Sequence, residues 1–120
     1  MSLRRKRADT SAPADGPVIR RAALDLLARR EHSTRELREK LLQKLGSAPQ
    51  LDEELERLQA DGLLDDNRFA EAFVRMHRNR GHGPQRILHE LAQKGVDAEI
   101  AEACVEPKSG EWVELLRRIR

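Results

Sequence analysis

Four features of this 120-residue chain could do chemistry. Asp65 and Asp66 stand side by side, and paired carboxylates can share a proton or hold a cation. Four histidines, His32, His77, His82 and His89, could move protons or ligate a metal. Cys104 is the one thiol that could serve as a nucleophile. The stretch Gly81-His82-Gly83-Pro84 superficially resembles the glycine-rich loops that cradle phosphate. Spacing argues against each. Adjacent carboxylates just ahead of an apolar-periodic run are placed to cap a helix by accepting from its first amides. The histidine intervals match no metal-ligand pattern, and His77 falls in step with a helix stripe, as a partly buried core residue. Cys104 lies on the apolar face of a short helix, where a thiol is inert. The glycine stretch has no strand before it and no Lys-Ser/Thr after it. With no Ser-His-Asp set or Cys-His pair, the residues point to no catalytic site, no cofactor and no metal. The chain is not expected to be an enzyme.

The arginines are more informative. Arg29, Arg30, Arg35 and Arg38 cluster about one helix junction. Arg75, Arg78 and Arg80 end a later helix, and Arg86 opens the next. Any one of them could simply complement a helix dipole or keep a surface wet. Repeated at comparable places, they form a face suited to phosphates or an acidic protein surface. Net charge is only +2, but it is arranged in blocks. Residues 51–66 hold one basic and seven acidic groups, whereas 67–95 hold six and two, including Arg68 and Lys94. Arg75, Arg78 and Arg86 flank the Gly81–Pro84 break, so they are expected to approach one another and point to solvent.

Such a face needs helices to carry it. Val18, Ile19, Ala22, Ala23, Leu26 and Leu27 recur at helical spacing. Ser33 and Glu36 form a capping box ahead of Leu37, Leu41 and Leu45, and Gly46 is placed to end that helix. Leu51, Leu55 and Leu58 mark a third helix, closed by Gly62. The pattern then recurs. Phe69, Phe73 and Met76 form a stripe behind the Asp65–Asp66 cap. Ile87, Leu88 and Leu91 follow Pro84, a favoured first helical residue, and stop at Gly95. Asp97 caps a short helix carrying Ile100, Ala103 and Cys104. At an offset of 50 residues, Ile19 meets Phe69, Ala23 meets Phe73, Leu37 meets Ile87 and Leu41 meets Leu91. Ser33 falls on Gly83 as the cap. The third helices align after a gap, Leu51 with Val96 and Leu55 with Ile100.

The expected fold is all-α, with tandem three-helix, helix-turn-helix-like repeats stacked into an elongated curved array. Residues 1–17 are expected to be a disordered basic tail, 18–64 the first repeat and 65–106 the second. Residues 107–120 would begin an incomplete third repeat, with a stripe of Trp112, Val113, Leu116 and Ile119.

Composition agrees with that reading. Aromatic residues are 2% and charged residues 37%, which favours helices and starves strands of the residues they prefer. No apolar run approaches the roughly 20 residues that span a bilayer. The basic N-terminus lacks the apolar stretch of a secretory signal. A single cysteine excludes an internal disulfide and fits a reducing compartment. A cytoplasmic protein without membrane attachment is expected.

Three stretches together resemble the RecX family of recombinase regulators. The first runs Ala23-Leu24-Asp25-Leu26-Leu27-Ala28-Arg29-Arg30-Glu31-His32-Ser33, followed by Glu36-Leu37 and Lys40-Leu41. The second is Leu58, then Gly62-Leu63-Leu64-Asp65-Asp66-Asn67-Arg68-Phe69-Ala70. The third comprises Gly81, Gly83, Arg86-Ile87, Glu90-Leu91 and Lys94-Gly95-Val96. Their order and spacing across residues 22–105 carry the resemblance, since each alone is a common helical pattern. It implies tandem three-helix repeats and binding within the groove of the RecA–DNA filament. It also implies negative regulation of recombination and the SOS response through strand exchange, ATP hydrolysis and co-protease activity. Contact with single-stranded or duplex DNA inside the filament would accompany this, and the protein would act as a monomer. Two other readings use the same helices: a direct DNA-binding helical protein, and a helical adaptor joining two proteins.

Overall fold

The computed structural model describes residues 13–105. Among these, the chain forms α1 Gly16–Leu27, α2 Thr34–Leu45, α3 Leu51–Ala60, α4 Asp66–Asn79, α5 Pro84–Gln93 and α6 Ala98–Val105, with no strand. No helix among them is long and apolar enough to cross a membrane. The helices fall into two units that divide between Asp65 and Asp66. Residues 1–12 of the expected tail and the expected helix at 107–120 lie outside the described residues.

Within the segment read as tail, residues 13–17 are structured, because the chain finds hydrogen-bond partners earlier than its apolar stripe begins. Asp15 Oδ1 accepts from the Val18 N–H at 3.2 Å, and Pro17 occupies the first turn of α1. The Ala14 N–H donates to the Ser47 carbonyl at 2.9 Å, and the Gly16 N–H donates to Gln50 Oε1 at 3.0 Å. The start of α1 is thereby joined to the α2–α3 loop. At α2 the capping box forms as its sequence requires. The Glu36 N–H donates to Ser33 Oγ at 3.1 Å, and the Ser33 N–H donates to Glu36 Oε1 at 3.4 Å. A cap of this kind contributes about 1 kcal/mol. Gly46 ends α2 at φ 77, a left-handed conformation that costs a β-carbon even in open space.

The first unit closes on Ile19, Ala23, Leu37, Leu41, Leu55 and Leu58, with Leu51 and Leu64 also buried. The second closes on Phe69, Phe73, Ile87, Leu91, Val96 and Val105. The positions matched at the 50-residue offset are buried in pairs. Ile19 and Phe69, Ala23 and Phe73, Leu37 and Ile87, and Leu41 and Leu91 are all core residues. Ser33 and Gly83 both hold the N-cap position.

Several stripe assignments need correction. Met76 is 46% exposed and Val18 48% exposed, whereas Ala70 and Val74 are buried. The stripe of α4 follows Phe69, Ala70, Phe73 and Val74. Stepping about 100° per residue, its axis runs through His77 and leaves Met76 at the edge. In α6 the buried residues are Ala101 and Val105, while Ala103 is exposed and Ile100 and Cys104 are only half-buried. Almost every residue of that helix is small or apolar, so the sequence offers little contrast between its faces.

Candidate partner-binding face

In the first unit, three of the four expected arginines already hold carboxylates. Arg30 Nη2 lies 2.9 Å from Glu36 Oε2, and its Nη1 donates to the Glu31 carbonyl at 2.9 Å. Arg38 Nε reaches Asp52 Oδ1 of α3 at 2.8 Å, and Arg35 Nε reaches Glu39 Oε2 at 3.4 Å along α2. The Arg38 guanidinium holds the Asp52 carboxyl below its ordinary value. Arg29, in the turn after α1, is exposed and meets no carboxylate among the described residues. Where both members are exposed, as in Arg35–Glu39 and Arg38–Asp52, such pairs contribute little to stability.

In the second unit the arginines that were expected to converge have different partners. Arg75 and Arg78 line a shallow groove of about 340 Å³ with Glu71, Val74, Asn79 and Cys104. Arg78 does not simply face solvent, because its Nη2 donates to the main-chain carbonyl of Val105. That carbonyl lies at the C-terminal end of α6, where backbone acceptors lack helical partners and a cation is favoured. Arg86 pairs within its own helix, with its Nε 3.1 Å from Glu90 Oε2 one turn along α5. Arg75 and Arg80 are exposed and meet no carboxylate among the described residues. Arg68 is exposed at the start of α4, and Lys94 is half-buried at the end of α5.

Two arrangements gave no signal in the spacing. Glu54, in the acidic third helix, is buried with 4% exposure. Arg20 Nη1 donates to its Oε2 at 3.2 Å, Arg57 Nη1 lies 3.4 Å from its Oε1, and Arg20 Nη2 reaches Asp61 at 2.7 Å. The other arrangement gathers histidines. His77 Nδ1 and His82 Nδ1 are 2.8 Å apart, and Glu90 Oε1 is 3.4 Å from His77 Nδ1. No sequence interval marks this cluster, because the α4–α5 turn alone brings its members together. His77 is stacked on Phe73, with ring centroids 4.0 Å apart. Burial lowers the pKa of His77 from its ordinary value, against the pull of Glu90, and the Arg86 hydrogen bond lowers that of Glu90.

His32 is fully buried in the first unit. Its Nδ1 faces the Arg30 carbonyl at 3.0 Å, and its Nε2 faces Lys40 Nζ at 3.3 Å. A carbonyl only accepts, so Nδ1 carries the proton and Nε2 receives one from the ammonium. Desolvation first, and then the Arg30 charge, lower the His32 pKa.

These features define an all-helical protein of tandem three-helix domains with charged outer faces. Comparison with known proteins is more specific. Residues 20–58 match the RecX first three-helix domain, and residues 65–105 match the RecX second three-helix domain. A protein of Pseudomonas putida named "Regulatory protein RecX" is 43% identical over 110 residues, covering 91% of this chain and 78% of its own length. A Halorhodospira halophila protein of the same name is 42% identical over 111 residues, covering 92% and 69%. The crystal structure of RecX from Lactobacillus salivarius matches with a TM-score of 0.68 at 28% identity, over 75% of this chain. The match covers 59% of that solved chain. The chain belongs to the RecX family of regulatory proteins.

Proposed function

We propose that the chain is a non-enzymatic, cytoplasmic regulator that binds the RecA nucleoprotein filament as a monomer. It opposes the filament's strand exchange, ATP hydrolysis and co-protease activity. Membership of the RecX family across both three-helix domains carries this reading. The arrangement of charge supports it. Arg29, Arg75 and Arg80 are outward-facing guanidiniums without a carboxylate partner among the described residues, and fork-shaped donors suit phosphate and carboxylate alike. Arg30, Arg35, Arg38, Arg78 and Arg86 already hold acceptors of their own, so they serve as secondary contacts. Arg68 and Lys94 extend the basic surface of the second domain.

The test is a pull-down with three baits: RecA alone, RecA on single-stranded DNA with a slowly hydrolysed nucleotide, and DNA alone. Capture by the filament well above the other two is expected. Equal capture by naked DNA would favour a direct DNA-binding protein, and capture by none of the three would sink both readings.

A further inference from the structure

We propose that His77, His82 and Glu90 form a binding site for a divalent transition metal, zinc above all, at the α4–α5 turn. One ligand atom from each residue, His77 Nδ1, His82 Nδ1 and Glu90 Oε1, lies within 4.8 Å of the other two. Tetrahedral zinc with bonds of about 2.0–2.1 Å needs neighbouring ligands about 3.3 Å apart. Glu90 Oε1 is already 3.4 Å from His77 Nδ1. The two imidazole nitrogens are closer, at 2.8 Å, because they share a hydrogen bond. Opening that gap by about half an ångström is easy for His82, which lies between Gly81 (φ 87) and Gly83, neither hemmed in.

The surroundings fit a ligand set. Phe73 backs the His77 ring and fixes its plane. Arg86 Nε holds Glu90 Oε2 at 3.1 Å, which leaves Oε1 for the metal, as outer-shell partners do in metal sites. Arg86 itself is 61% exposed, so solvent screens its repulsion of the cation. On binding, the proton shared between the two Nδ1 atoms leaves, and the ring that carried it takes one up at Nε2. Two neutral imidazoles and one carboxylate then form three bonds to the metal, with no net change in protons. Three half-buried ligands leave a fourth position for water or an anion. Mixed nitrogen and oxygen donors select zinc, copper or nickel over magnesium and calcium, which take six or more oxygens. The site would brace the turn between α4 and α5, and its existence does not depend on what the protein binds.

The test titrates the full-length, chelator-stripped chain with zinc in competition with a chromophoric chelator. One equivalent is expected to bind, and magnesium is not. His82→Asn and Glu90→Gln should each weaken binding at least as much as loss of an outer-shell partner does, about 10–100-fold. His89→Asn and Cys104→Ser should leave it unchanged. Circular dichroism checks that every variant is folded, and cobalt bound to the wild type should show a visible spectrum that His82→Asn abolishes. Absence of stoichiometric zinc binding, or affinity that survives either ligand substitution, overturns the proposal. So does loss of binding with Cys104→Ser.

Discussion

Arg20 and Glu54 form an ion pair across α1 and α3, with Nη1 3.2 Å from Oε2 and only 5% of the Glu54 side chain exposed. A carboxylate that deep depends on its partners, because removing one member of a buried pair leaves a charge without compensation. Arg20→Ala is therefore expected to lower the melting temperature more than Arg35→Ala, whose carboxylate partner is 65% exposed. Thermal melts of the two variants under the same conditions check this. Equal shifts would mean that Arg57, 3.4 Å from Glu54 Oε1, is sufficient alone.

Leu63 and Leu64 are neighbours with opposite fates, 39% and 1% exposed. Leu64→Ala is expected to cost about 2–5 kcal/mol, the range for a buried leucine. Leu63→Ala should stay near 0.5 kcal/mol, as at most surface sites. Urea midpoints at an unchanged denaturant slope distinguish them. Similar losses would contradict the burial of Leu64 in the first core.

In the metal-free protein, acid should erode stability through His32 and His77, both of whose pKa values are lowered on folding. Below the ordinary histidine value of about 6.5, the unfolded chain takes up protons that the folded side chains refuse. Stability is full above that value. It falls as pH drops towards the lowered folded values, and the histidine contribution then levels off. His32→Asn should flatten this dependence between pH 7.5 and 5.5, read from urea midpoints. An unchanged slope would show that His32 takes up its proton as readily folded as unfolded.

Reversing Arg29, Arg75 and Arg80 to Glu moves the net charge from +2 to −4. The three residues hold no carboxylate among the described residues, so stability should change by only about 0.5 kcal/mol per site. Inhibition of RecA-driven strand exchange should be lost, and the salt dependence of filament binding should flatten by about one unit per phosphate contact removed. The matched control reverses Glu99 and Glu102 to Arg and should keep its inhibition. A folded triple variant that still inhibits as wild type would place the partner on another surface. Arg78→Glu is a poorer probe, since it also removes the donor to the Val105 carbonyl and should lower the melting temperature.

The helices and the capping box at Ser33 were legible because local rules dictate them. Ser33 and Glu36 are three apart, the leucines keep the 3.6-residue period, and the two units repeat it at matched positions such as Leu41 and Leu91. The candidate face was legible only as a set of residue types. Which arginines are engaged depends on partners reached through the fold, such as Asp52 for Arg38 and the Val105 carbonyl for Arg78. The His77–His82 contact depends on the path of the turn between them, which residue spacing does not encode. Glu54 was hidden in an acidic run whose other members face water. In α6, a mostly apolar helix gives no period to read.

Arg30 illustrates a further consequence of engaged arginines. Its Nη2 is 2.9 Å from Glu36 Oε2, and Glu36 is the residue that closes the capping box with Ser33. If, as proposed, a phosphate or acidic group recruits Arg30 through the same Nη donors, it does so by exchange with Glu36 at the start of α2. The affinity gained there is a difference between two bonds. An alanine scan at Arg30 will therefore understate the strength of the contact, whereas at Arg29, which surrenders no carboxylate among the described residues, it will report it nearly in full. On the proposed function, competition within the protein, as well as geometry, ranks these arginines.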